Sequence, residues 1–92
     1  MIVSFKDAET EALFTDRENR RWANIAKVAL RKLDQIHASK DLEDLRIPPG
    51  NHLELLKGDR KGPHSIKIND PYRICFVWKQ DGAHDVEVTD YH

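Results

Sequence analysis

The sequence of 92 residues has a single cysteine, Cys75, and that scarcity excludes an internal disulfide. No cysteine pattern for a structural zinc exists, and no two histidines carry the spacing of a helical metal motif. Long apolar runs are also missing. With a mean hydropathy of −0.70 and apolar stretches of only a few residues, a membrane span is excluded. The opening Met1-Ile-Val-Ser-Phe-Lys-Asp-Ala-Glu places acids where a secretory signal needs an apolar stretch, so a cytoplasmic protein is expected. There is no internal repeat and no low-complexity tract. The length suits one domain, 1–92, with one small core, since a chain this short buries little more than ~60% of its unfolded surface.

An excess of charge of either sign is absent too: 15 Lys and Arg stand against 16 Asp and Glu. The near-cancellation hides a gradient. Residues 57–73 carry Lys57, Arg60, Lys61, Lys67 and Arg73 against only Asp59 and Asp70, whereas residues 74–92 carry Lys79 against Asp81, Asp85, Glu87 and Asp90. The middle window is a local basic patch of the kind that an anion-binding surface needs, although solvated surface lysines would read the same on charge alone.

What is present is pattern. Ile2, Val3 and Phe5 read as a short first strand, and Asp7 as the cap of a helix over 8–15. Trp22, Ile25, Ala29, Leu33 and Ile36 recur at helical spacing, with Arg20, Lys27, Arg31, Lys32 and Gln35 on the opposite face. Asp41 is placed to cap a short third helix through Leu42 and Leu45, ended by Pro48-Pro49-Gly50. Thereafter the period becomes two. Tyr72, Ile74, Phe76 and Trp78 alternate with Arg73, Cys75, Val77 and Lys79; Ile66 and Ile68, then Val86 and Val88, alternate likewise. Short turns at 57–62, 69–71 and 80–82 imply antiparallel neighbours. The expected fold is α+β, with two main N-terminal helices packed on one face of an antiparallel sheet whose other face is at least partly open to a ligand.

The chain ends Asp90-Tyr91-His92, an aromatic and an imidazole where termini are usually plain and polar. RNA cleavage needs a base for the 2′-OH, an acid for the leaving 5′-oxygen and cations for the growing phosphorane charge. His92 suits either proton role near neutral pH, Tyr91 a proton or a stacking role, and Asp90 the orientation of His92. Arg73 and Lys57 are candidates to hold phosphate. His52 and Glu54 share a side of the chain after the Pro-Pro-Gly turn and are candidates to flank a site. His64 lies close to the basic turn, within reach of phosphate. His37 at a helix end suits the dipole there, His84 reads as solvated, and Trp22 and Trp78 read as core anchors. Cys75 reads as a small strand residue with nothing to mark it as a nucleophile. From spacing alone, ordinary packing of Tyr91 and a merely terminal His92 remain an open alternative.

Lys57-Gly58-Asp59-Arg60, Ser65-Ile66, Tyr72-Arg73-Ile74 and the terminal Asp90-Tyr91-His92 occur in an order that resembles the HigB toxins of the RelE-like superfamily of type II toxin–antitoxin systems. The resemblance runs over essentially the whole chain, from the Ile2-Val3-Ser4-Phe5 start through Asp44-Leu45 and Pro48-Pro49-Gly50-Asn51. It implies a RelE-like fold with helices on one side of a curved antiparallel sheet. The implied activity is a ribosome-dependent endoribonuclease that cuts mRNA in the A site and stops translation, without metal or other cofactor. The implied partners are a HigA-type helix-turn-helix antitoxin, the 70S ribosome with its mRNA, and operator DNA only through the antitoxin. Carried over by position, Lys57 and Arg73 stabilise phosphate, Asp90, Tyr91 and His92 form the catalytic end, and Arg60 and Lys61 touch RNA backbone, in the same basic window as Lys67. One departure stands out: well-known members have a histidine two residues after the position of His52, and this chain has Glu54. Glutamate can act as a base but cannot become a cation beside phosphate, so the base is open between Glu54, His52 and His92. With the low net charge, this leads to the expectation of a comparatively mild toxin.

Overall fold

The structure is a computed structural model and describes residues 1–56 and 62–90. Two helices come first, α1 (Ala8–Asp16) and α2 (Ala26–Ala38). They precede four strands in the order β1 (Glu54–Leu55), β2 (Pro63–Lys67), β3 (Tyr72–Lys79) and β4 (Gly82–Asp90). Each strand pairs antiparallel with the next, so the sheet is an α+β meander with sequential order. No described helix is long and apolar enough to cross a membrane.

Local chemistry accounts for the helix ends. The Asp7 carboxylate accepts the Thr10 N–H at 2.7 Å, satisfying one of the donors that the first turn of α1 leaves unpaired. Arg17 ends α1 in the left-handed region (φ 64°) and reaches across to α2, where its guanidinium donates to both Asp34 oxygens at 2.9 and 2.7 Å. α2 begins at Ala26 rather than at Trp22. The four residues before it form turns, yet Trp22 and Ile25 still bury their side chains in the same core. The third helical segment, Leu42–Arg46, is 3₁₀ and carries a reciprocal capping box between Asp41 and Asp44.

One apolar cluster joins helices and sheet. Leu13 of α1, Ala29, Leu33 and Ile36 of α2, and Leu45 meet Ile66, Ile74, Phe76, Val86 and Val88. A fully buried aliphatic side chain of this kind contributes about 1.5–3 kcal/mol. A buried hydrogen bond crosses the same layer, from the Val88 N–H to Thr10 Oγ1 at 3.0 Å.

The segment expected as a first strand makes only two isolated parallel bridges to β4, Ile2 with Ala83 and Phe5 with Val86. The reason lies in a bulge. Cys75 pairs with Glu87 but Val77 with His84, so Asp85 and Val86 both oppose Phe76. Asp85 takes a positive φ of 52°, and its N–H donates to Ser4 Oγ while that of Val86 donates to Ser4 O. The N-terminal segment therefore fits the bulge by irregular hydrogen bonds rather than a continuous ladder. It is also tied to α2, since the Ile2 N–H donates to His37 Nδ1 at 3.1 Å. The helix-end His37 thus serves as an acceptor for the chain start.

Candidate functional site

Antiparallel register sorts the sheet into two faces. Ile74 and Phe76 face the helices; Arg73 and Cys75 face the other way, with Ser65 opposite Cys75 and Glu54 opposite Ser65. On that outer face Arg73 is 8% exposed. A guanidinium keeps its charge at any physiological pH, so burying it requires acceptors. Nε donates to Ser65 Oγ at 2.7 Å and Nη2 donates to the His52 carbonyl at 2.7 Å. The Glu54 carboxylate stands 3.8 Å from Nη2 with its side chain 56% exposed. The result is a cation held in a defined plane on a sheet face, beside an exposed carboxylate. With Nε and Nη2 engaged inside the protein, what the group offers an oxyanion such as phosphate is a positive charge at a fixed place.

β4 leads to the same end of the sheet. Thr89 is the register partner of Arg73, and Asp90, exposed, is one residue further on, opposite Tyr72. Asp90 is the last described residue; Tyr91 and His92 lie outside the described residues, as do Lys57, Arg60 and Lys61. Lys67, the other register partner of Arg73, donates to Asp70 at 2.9 Å, and the ammonium holds that exposed carboxyl below its usual range. His64 is elsewhere. It is buried on the helix side, stacked 6.3 Å from Phe76, with Nδ1 3.2 Å from the Gly62 carbonyl. The structure thus brings Arg73, Glu54 and the His52 backbone together, with Lys67 beside Arg73 in register; His64, opposite Phe76, and Asp90, opposite Tyr72, belong to the alternation of the other face.

A hollow of about 320 Å³ is lined among others by Lys6, Leu56, Pro63, Cys75 and Glu87, and by none of Arg73, Glu54, Ser65 or His52. Burial, and then the charge of Glu87, push the Cys75 thiol up to about 11, so it stays protonated and poorly nucleophilic at neutral pH. The larger open hollow, about 640 Å³, lies along the α1–α2 link at Asp16, Glu18, Asn19, Arg20, Ala23 and Ala26, and contains none of these groups. Among the described residues, no three His, Cys, Asp or Glu side chains cluster closely enough to hold a metal ion.

Two participants in the arrangement were not singled out as site residues from the sequence: Ser65 and the His52 carbonyl. Ser65 could have been found from its alternation with Lys67 in a short strand, which puts a hydroxyl on the Arg73 side. A backbone carbonyl leaves no mark in a sequence.

Comparison with known proteins decides the family. Residues 3–92 match the family model for the RelE-like toxin of the type II toxin–antitoxin system HigB. The chain belongs to the HigB family. This HigB-family chain is 40% identical over 80 residues to Toxin HigB-1 of Vibrio cholerae, covering 85% of this chain and 84% of that protein. It is also 37% identical over 73 residues to an uncharacterized protein of Haemophilus influenzae, covering 79% and 72% of the two chains. As a HigB-family type II toxin it has an antitoxin as partner, and the helices-on-sheet fold is that of RelE-like proteins.

Proposed function

We propose that this HigB-family toxin is a ribosome-dependent endoribonuclease that cuts mRNA in the A site, acting as a single domain, 1–92, in the cytoplasm. The observation that supports it most is the Arg73 guanidinium, pinned by Ser65 and His52 at the end of the sheet from which the chain runs on into Tyr91 and His92. In the proposed reaction the 2′-oxygen attacks the adjacent phosphorus as a base takes its proton. The bond to the 5′-oxygen then breaks as an acid returns a proton, leaving a 2′,3′-cyclic phosphate and a 5′-hydroxyl. Arg73 and Lys57 carry the charge that grows on the non-bridging oxygens. His92, Glu54 and His52 are the candidate bases, Asp90 orients His92, and Tyr91 stacks on the message or passes a proton. Arg60, Lys61 and Lys67 meet RNA backbone, where each contact adds a salt-dependent increment of affinity. The antitoxin is of the HigA helix-turn-helix type, and operator DNA is reached only through it.

The test uses purified 70S ribosomes programmed with a defined mRNA. The toxin is expected to cut that mRNA, leave the same RNA intact without ribosomes, and lose cleavage on Arg73→Ala. Equal cutting of free RNA, or a blocked ribosome with an intact message, would contradict the proposal; the second outcome describes a non-cleaving ribosome binder of the same fold.

A further inference from the structure

Lys32 lies on α2 with 7% of its surface exposed, and it forms no ion pair among the described residues. Its ammonium donates instead to the neutral Oδ1 of Asn51, which is fully buried. Burial, with a smaller contribution from Arg31, lowers its pKa. A charge placed this way costs desolvation that no countercharge returns. Methionine would remove that cost but leave the buried Asn51 Oδ1 without its donor.

What the ammonium does is orient an amide. Lysine only donates, so Asn51 must turn its oxygen toward Lys32 and its NH2 to the opposite side. There Nδ2 lies 3.0 Å from Gln35 Oε1, 3.1 Å from Leu45 O and 3.4 Å from Ile47 O. A flipped amide would set its oxygen against the two carbonyls. Asn51 so anchored closes the Pro48–Asn51 turn through its own N–H to Pro48 O at 2.9 Å. The next residue, His52, is forced into the left-handed region (φ 45°, ψ 57°), which aims its carbonyl at Arg73 Nη2. One continuous chain of contacts therefore runs from α2 to the guanidinium.

We infer that Lys32 and Asn51 are positioning residues, which hold the His52 carbonyl and through it the Arg73 guanidinium at the angle needed for cleavage. This rests on the proposed function for the consequence, though not for the geometry. Two variants test it: Lys32→Met, which keeps the volume and removes the donor, and Asn51→Asp, which keeps the attraction to Lys32 and removes the NH2. Both are read by melting temperature, by the NMR signal and solvent exchange of the Arg73 Nε–H, and by single-codon cleavage on ribosomes. Lys32→Met is expected to stay folded but melt lower than the wild type, because the buried Asn51 Oδ1 loses its donor. Its Arg73 Nε–H signal should move and exchange at least about tenfold faster, and kcat should fall about tenfold or more with KM within about twofold. Asn51→Asp should shift the same signal and kcat in the same direction.

An unchanged Arg73 signal in either folded variant overturns the inference. So does an unchanged kcat where the wild type cleaves, and so does loss of fold in both variants, which would make the pair structural. If the wild type cuts nothing, the cleavage reading fails separately and the Arg73 signal alone decides the positioning.

Discussion

Arg73 does what no lysine could do at its position. Two nitrogens of one rigid plane reach Ser65 and the His52 carbonyl at once. Arg73→Lys keeps the charge but loses the fork, so ribosomal cleavage should drop about 10²-fold or more while the fold survives, as circular dichroism would verify. Near-normal cleavage by this variant would mean that charge alone suffices. Cys75 makes a prediction of a different kind. In the folded chain its thiol is raised from 9.0 to about 11, so the native state holds the proton more tightly than the unfolded state does. Stability is complete below about pH 9 and declines as pH rises toward 11. Denaturant titrations across that range should show the alkaline decline in the wild type and a shallower one in Cys75→Ala. The same raised pKa predicts slow alkylation of the native protein at pH 8. The role of Arg73 as a charged strand residue near a basic turn could be read from the sequence. Its partners could not, because one is a serine with an ordinary strand appearance and the other a main-chain oxygen.

Element by element, α1 and β3 follow from periodicity and capping chemistry. Asp7→Ala should cost about 1 kcal/mol of stability, measured by urea unfolding, because the Thr10 N–H loses its acceptor. α2 shows the limit of periodicity: Trp22 and Ile25 continue the apolar spacing, yet the regular helix starts only at Ala26. A turn that buries the same two side chains is indistinguishable from a helix by spacing alone. The N-terminal strand fails for a related reason, since alternation in Ile2, Val3 and Phe5 says nothing about a bulge eighty residues away. That bulge and the chain start meet near Gly82, which has φ 133° and lies so close to the Met1 carbonyl that a Cβ would sit 2.2 Å from its oxygen. Gly82→Ala should cost more than about 1 kcal/mol and release the Val3 and Ala83 amides to faster hydrogen exchange. Unchanged exchange at those amides would show that contacts elsewhere, such as those of Ser4, Lys6 and His37, suffice to hold the N-terminal segment. Between the helices, the Arg17–Asp34 pair holds the Asp34 carboxyl below its usual range of about 3.8. Its contribution is present above that pH and lost as acid protonates Asp34, so the stability gap between wild type and Asp34→Asn should close on acidification.

At the scale of the whole molecule, a chain of net charge −1 divides its charge along the sequence, basic over 57–73 and acidic over 74–92. Binding through such a patch releases counterions, so co-sedimentation with ribosomes should weaken steeply with salt. The order of helices before a meander explains how so short a chain gives its sheet two different faces: α1 and α2 cover one side, and Arg73 is set into the other. Composition and period foretold that division, and the ordered motifs pointed to the HigB family that the comparison establishes. The proposed function requires that this face, with Tyr91 and His92 following β4 in the sequence, cleaves translated mRNA. Mapping of 5′ ends on a reporter message, in cells expressing the wild type or His92→Ala, tests it most directly. New ends inside A-site codons are expected, dependent on translation and absent with His92→Ala. An intact message under full growth arrest by the wild type would contradict it.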